Sequence, residues 1–489
     1  MMDRYKRAND SLHPTPRAVE RAVAGERSRQ KRKPLKALVP AGVAMAVAAA
    51  LLVTGVPGGG EGGPLVANAY AIAQPVYPDL PQCPAEPAGG SQTAWEQFNE
   101  DYDAYWNAWR DYQDEVPSLY DTPELKTALA AFSEKSTALA LSGEDNRVYS
   151  PVSLWFALAM LAETTGGETR QQILDALGAK DLEQLRDWAD ILWHAIYMDD
   201  GTATTLLGNS IWLDENVTFH QDVLETLAER YYAGSYQVPM GTDEADQALS
   251  DWVAEQTKGL IGSDGDVLHT KVDTLNILAS TLYYKAGWRD EFNEGQTERD
   301  IFTAADGTVT EVDFMYATRD ATFLRQDGYQ AASLSTTSGE MIFVLPDEGI
   351  APADLLADPN FLEAVTDFEN GIFGEVQWSV PKFDVKSELD LKPTIEGLGI
   401  TDVFDPDVSD FTPLTALEPV WLDQVKQIAR VKVDEKGVEA AAVTLLATDG
   451  GAALPEDSTI CVMDLDRPFL FIIRDGSAVL FIGVVEQVG

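Results

Sequence analysis

Residues 432–448 read KVDEKGVEAAAVTLLAT, an acidic turn, a glycine and then a run of small uncharged side chains. Gly437 carries no Cβ and can serve as a hinge. From Ala440 to Thr444 there is no proline, glycine or charge, so this segment is able to enter a sheet interior as a strand. An exposed loop that is also strand-competent is an aggregation hazard unless insertion is its purpose. The alternation supports insertion. Val438, Ala440, Ala442, Thr444, Leu446 and Thr448 form an uncharged row that one buried strand face requires, while Glu439 and Asp449 fall on the other face.

Working outward, the chain has 489 residues, of which 45% are hydrophobic and 24% charged, values suited to one large globular domain with appendages. Its net charge of −45 is unevenly distributed. Residues 1–36 hold 11 Lys and Arg against 4 Asp and Glu, whereas the remainder holds 24 basic and 76 acidic residues. So acidic a body repels nucleic acid and anionic membranes, and its electrostatic partners are expected to be basic. The four histidines, His13, His194, His220 and His269, have no metal-ligand spacing with one another or with a cysteine, so no metal or other cofactor is expected. Cys83 and Cys461 are compatible with one distant disulfide or with two free thiols. There is no Gly-x-Ser-x-Gly elbow, phosphate-binding loop or zinc signature, and the chain does not read as an enzyme.

Five regions follow from composition. Residues 1–36 form a basic leader, expected in the cytoplasm. Residues 37–56 (ALVPAGVAMAVAAALLVTGV) carry no charge over 20 positions, enough to cross a bilayer as an anchor. Ala-x-Ala triplets at 67–69 and 69–71 leave a cleaved signal as the alternative. Residues 57–92, rich in Gly and Pro, read as a flexible, partly extended tether. Residues 93–121 read as an acidic amphipathic helix whose aromatics, from Trp95 to Tyr112, recur every three or four positions. That stripe suits packing on the main domain; contact with a glycan or a partner is the second reading. Residues 122–489 mix helical and strand patterns without regular alternation, which indicates an α+β domain.

This last region resembles the serpins along its whole length. NRVYSPVS (146–153) followed by LWFALAMLAETTGGETRQQILDALG is similar to an early helical block of the family. NSIWL (209–213), Tyr231 and Tyr232, TLYYKAGWRDEF (281–292), and the set Phe302, Asp306, Gly307, Val312, Phe314 and Met315 follow in family order. So do MIFVLPDE (341–348), VPKFDVKSELDLKPTIEGLGITDVF (380–404), DRPFLFII (466–473) and LFIGVV (480–485). The resemblance implies a serpin fold: helices around a large central mixed sheet, two further sheets and an exposed reactive-centre loop. The leader and apolar run suit a bacterial-type, exported member, anchored by its N-terminal helix or secreted after cleavage.

The resemblance also assigns roles. Glu435, Gly437, Val438, Glu439, Ala440, Ala441 and Ala442 correspond to the hinge, and Ser150, Ser153, Ser280 and Gln427 to a polar shutter beneath the central sheet. Ser280 stands where the family usually has Asn, Gln427 where it often has His, and Val438 where Thr is usual. Counting fourteen residues on from Gly437 gives Gly451–Ala452 as the reactive bond, while the long stretch from there to Asp466 leaves cleavage a few residues either way open, with Leu446 and Leu454 the bulkier candidates. Small residues there, and no Lys or Arg from 438 to 466, point to an elastase-like or subtilisin-like serine protease as the covalently bound partner of a monomeric inhibitor. The alternative is a non-inhibitory member acting as a carrier or chaperone-like protein.

Overall fold

The computed structural model describes residues 67–87, 91–116, 118–143, 145–261, 269–272, 274–422, 425–438 and 459–489. Two sheets organise the main unit. The first, eight-stranded and mixed, contains β1 (Ala71–Ala73), β3 (Met198–Asp199), β4 (Ala203–Asp214), β5 (Ala233–Val238), β6 (Asn276–Gly287), β12 (Phe383–Asp390), β13 (Lys426–Val433) and β14 (Gly437–Val438). Its strand order is β1-β5-β4-β6-β14-β13-β12, with β3 paired to β4. The second contains β2 (Arg147–Tyr149), β7 (Glu298–Thr303), β8 (Val309–Gln326), β9 (Tyr329–Ser335), β10 (Glu340–Pro346), β11 (Ile372–Pro381), β15 (Ile460–Asp464), β16 (Phe469–Asp475) and β17 (Ala478–Val485). The two smaller sheets implied by the resemblance run together here. The 18-residue β8 is long enough to pair with β7 and β11 over most of its length and with β9 at its end.

Seven helices matter to the argument: α1 (Gln92–Glu115), α2 (Pro123–Ala140), α3 (Pro151–Thr164), α4 (Gly167–Leu177), α5 (Leu182–Ile196), α6 (Gln221–Arg230) and α7 (Asp243–Gln256). Helix α3 begins where Ser150 accepts a hydrogen bond from the Ser153 amide and Pro151 occupies the first turn. It is apolar over most of its surface, with Glu163 near its end paired to Arg186, and all but one of its residues are buried where it packs against β6 and β17, between the two sheets. The main core lies there. Trp155, Phe156, Phe343, Phe469 and Phe471 are at most barely accessible. Helix α4 stops at Gly178, whose φ of +72° suits a residue without a Cβ.

Residues 67–87, within the run read as a tether, are docked rather than free. β1 pairs with β5 and covers that edge of the first sheet. Prolines recur at positions 75, 78, 81, 84 and 87, a spacing suited to an extended three-per-turn chain that loses little entropy on ordering. Between them Tyr77 stacks on Trp193, Tyr197 and Tyr232, with ring centroids 5.7, 5.6 and 6.4 Å apart, and the Cys83 amide donates to Asp200 O at 2.8 Å. Helix α1 then packs its stripe inward. Tyr105 donates to Asp200 Oδ2 at 2.5 Å, Trp109 is buried, and Tyr112 Oη lies 2.7 Å from His194 Nδ1. Burial pushes the His194 imidazole below its usual value, with Asp190 opposing.

Candidate functional site: a strand-accepting cleft and its hinge

The hinge sequence begins a strand. Gly437 pairs with Gly287 and Val438 with Ala286 on β6, and Val438 pairs with Val433 on β13. β14 is antiparallel to both neighbours. Among the described residues, β6 and β13 have no ladder of their own, so two residues wedge the sheet apart. Val438 is 2% exposed, as an inward-facing strand residue should be. Gly437 is required by close approach: a Cβ there would fall 2.2 Å from Ala286 O.

Beside Val438 lies a narrow gap of about 10 Å³. Tyr284 of β6, Arg430 and Val431 of β13, and Ile473 and Phe481 of the other sheet line it together with Val438. The inward row of β13 is Val433, Val431, Ala429 and Gln427, each at most 7% exposed. Such a surface is suited to small apolar side chains on an incoming strand.

The turn before the hinge is clamped from three sides. Glu435 Oε2 meets Lys382 Nζ at 2.7 Å, and Thr297 Oγ1 donates to Glu435 Oε1 at 2.7 Å. Burial pulls the Glu435 carboxyl upward, but the Lys382 ammonium and the Thr297 hydroxyl outweigh it and hold the group below the usual carboxylate range. The hydrogen bond to Glu435 in turn raises the Lys382 ammonium. Lys436 Nζ pairs with Glu291 at 2.9 Å and Glu294 at 3.5 Å. Backbone bonds complete the clamp. The Trp288 amide donates to Lys436 O, its indole to Asp434 O and the Phe292 amide to Glu435 O, all at 2.9–3.0 Å.

Of the hinge residues named from sequence, Glu435, Gly437 and Val438 meet here; Glu439, Ala440, Ala441 and Ala442, like Gly451 and Ala452, lie outside the described residues. Three of the four shutter residues meet as well. Gln427 Oε1 accepts from the Ser150 amide at 2.8 Å, Gln427 Nε2 donates to Ser150 O at 3.0 Å, and Ser150 Oγ caps Ser153 at 3.3 Å. Ser280 does not join them. Its buried Oγ finds no hydrogen-bond partner among the described residues. Lys382, Thr297, Trp288 and Glu291 are missed by the sequence reading. Lys382 stands within the motif 380–404, yet nothing local pairs it with a residue 53 positions on. Cys83 and Cys461 are both free, and burial pushes the Cys461 thiol up to about 12. Among the described residues no acidic, His or Cys group has metal-binding geometry.

A family model described as Serpin (serine protease inhibitor) matches residues 128–488. The chain belongs to the serpin family. Relatives include Serpin-Z2B of Triticum aestivum, 28% identical over 70% of this chain and 89% of that protein. Plasminogen activator inhibitor 1 of Bos taurus is 29% identical over 71% of this chain and 88% of its own length. Among solved structures, the thermophilic serpin tengpin in its native state superposes with a TM-score of 0.67 at 25% identity, over 76% of this chain and 96% of its own. Human thyroxine-binding globulin superposes at 0.65 with 22% identity over 75% and 99%, a likeness of fold alone. Serpins are generally protease inhibitors rather than enzymes, and the family includes carriers as well.

Proposed function

We propose that this serpin is an exported inhibitor of elastase-like or subtilisin-like serine endopeptidases that traps them covalently by loop insertion. The observation that carries the reading is the seating of Gly437 and Val438 between β6 and β13, antiparallel to both, where those two strands have no ladder of their own among the described residues. A ladder continued one residue at a time from Val438 would bring Ala440 between Tyr284 and Val431. It would bring Ala442 between Leu282 and Ala429, and Thr444 between Ser280 and Gln427. The small side chains suit the narrow seats, and the Thr444 hydroxyl suits the polar seat, where Ser280 Oγ is without a partner among the described residues.

The chemistry is that of a protease substrate. The protease serine attacks the carbonyl of Gly451, the amide bond to Ala452 breaks, and Gly451 remains as an ester on the enzyme while Ala452 gains a free amino group. The freed strand then inserts, carrying the acylated enzyme with it before water completes hydrolysis. The clamp on Glu435 and Lys436 fixes where insertion starts. The apolar run 37–56 would tether or export the protein; it lies outside the described residues, among which no helix is long and apolar enough to cross a membrane.

The test is incubation with an elastase and with subtilisin, followed by denaturing electrophoresis and mass measurement of the released C-terminal peptide. A covalent band and a peptide beginning at Ala452 are expected. Complete cleavage with undiminished activity of both proteases would refute inhibition and favour a carrier.

A further inference from the structure

His194 of α5 stands where α1, α5 and the segment after α6 meet, and its side chain is 11% exposed. The direction of each hydrogen bond around it follows by elimination. Tyr232 Oη donates to Asp190 Oδ1 at 2.8 Å, because a carboxylate only accepts. The same oxygen lies 2.9 Å from His194 Nε2, so it accepts there and the imidazole proton sits on Nε2. Nδ1 is then bare, and it accepts the Tyr112 hydroxyl of α1 at 2.7 Å. A directed chain therefore runs from α1 into the domain, Tyr112 to His194 to Tyr232 to Asp190. Tyr232 has a φ of +54°, a left-handed conformation that a residue with a Cβ keeps only where its surroundings impose it. Its ring stacks on Trp193 with centroids 3.8 Å apart, which aims the hydroxyl between Asp190 and His194.

The neighbouring titratable groups leave this chain in charge. Tyr77 and Tyr197 meet the stack through Trp193, and Arg230 is turned to Asp187 at 2.6 Å. On α1 itself, Asp111 and Glu115 beside Tyr112 are exposed. Asp190, 3.7 Å from Nε2, favours a charged ring, but burial outweighs it and holds the imidazole below its ordinary value. A second proton breaks the chain at α1. With both ring nitrogens donating, Tyr112 must turn its O–H away, and among the described residues it has no other acceptor. We propose that His194 is an acid-sensitive latch that holds α1 on the domain at neutral pH and releases it on acidification, baring the face of Tyr105, Trp109 and Tyr112. Release returns the ring to water. Docking is thus at full strength above the ordinary imidazole value of about 6.5, and its contribution is lost as pH falls through the folded value. The latch is separate from the hinge and does not rest on protease trapping.

The experiment follows hydrogen exchange of the whole chain at pH 7.5 and pH 5, expressed as protection factors so that the intrinsic pH dependence of exchange drops out. Residues 92–115 should lose about fivefold at pH 5, the scale of one net hydrogen bond, while residues 151–164 stay within about twofold. His194→Gln, which still accepts and donates but does not titrate, should make protection of α1 equal at the two pH values. Tyr112→Phe should already show the low value at pH 7.5. Proton resonances of the His194 ring supply a second readout that needs no histidine variant. Their titration should fall below about 6.5 in the parent chain and move toward it in Tyr112→Phe. The proposal is overturned if α1 keeps its protection at pH 5, if His194→Gln loses as much as the parent, or if the ring titrates at its ordinary value.

Discussion

Replacing Lys382 by Met isolates the clamp on the hinge, because Met keeps the apolar stem and removes only the ammonium. The Glu435 side chain is 10% exposed and bonded to Lys382 at 2.7 Å, while the Lys382 side chain is 37% exposed. A hydrogen bond to a charged group is worth about 1.5–3 kcal/mol, and solvent around Lys382 moves the value toward the lower end. Thr297 still partners Glu435 in the variant, so the loss at neutral pH should be about 1–2 kcal/mol. The sign with pH follows from the two groups. The Glu435 carboxyl is held low, so its contribution is present above the ordinary value of about 4.3 and is lost as pH falls through the folded value. The Lys382 ammonium is raised, so its contribution is present below about 10.4 and is lost as pH rises beyond the folded value. Urea unfolding of both proteins at pH 7 and pH 3 should therefore show a lower midpoint for the variant at pH 7 and a smaller gap at pH 3. Equal gaps at both pH values, or none at pH 7, would refute the electrostatic account of the hinge.

Other perturbations test neighbouring parts of the argument. Val438→Glu exchanges about 1.5–3 kcal/mol of apolar burial for a carboxylate costing several kcal/mol to desolvate. It should turn the protein into a substrate that a susceptible protease cleaves without a covalent band on a denaturing gel. Thr444→Val should leave the intact protein unchanged but destabilise the loop-cleaved form by about 1 kcal/mol, the hydrogen bond assigned to Ser280. Comparing urea midpoints of intact and cleaved samples checks it. Tyr105→Phe removes the 2.5 Å bond to the buried Asp200 carboxylate and should cost about 1.5–3 kcal/mol, with faster hydrogen exchange across residues 67–116. Unchanged exchange would mean that β1 pairing, the Cys83 amide bond and the stacked rings hold the N-terminal segment without the Tyr105 bond.

Much of this molecule is legible along the chain. The serpin motifs lie in order because each is a local unit: Ser150-Pro151 opens α3, PKF leads into β12, and the final apolar runs become β16 and β17. Around the hinge, the sequence places Gly437 and Val438 at the start of a strand, and the structure pairs them with β6 and β13. Pairings between distant segments were not legible. Lys382 meets Glu435 only after β12 and β13 align, and no local pattern encodes that register. Of the four polar residues under the sheet, three come together and Ser280 stands apart. Gln427 turns both of its amide atoms to the Ser150 backbone, and Ser280 Oγ has no partner among the described residues. Composition also misjudged residues 67–87. Glycine and proline content signals a free chain, but Tyr77 finds a stack of three rings that exists only in the folded body.

The claim at the centre is that the cleft between β6 and β13 receives the loop as a strand. Nicking the loop with a protease that is not trapped, then comparing thermal and urea unfolding of nicked and intact protein, tests it most directly. The account predicts a nicked form markedly more stable than the intact one, because a full ladder replaces two residues of wedge. A nicked form of equal or lower stability would contradict it.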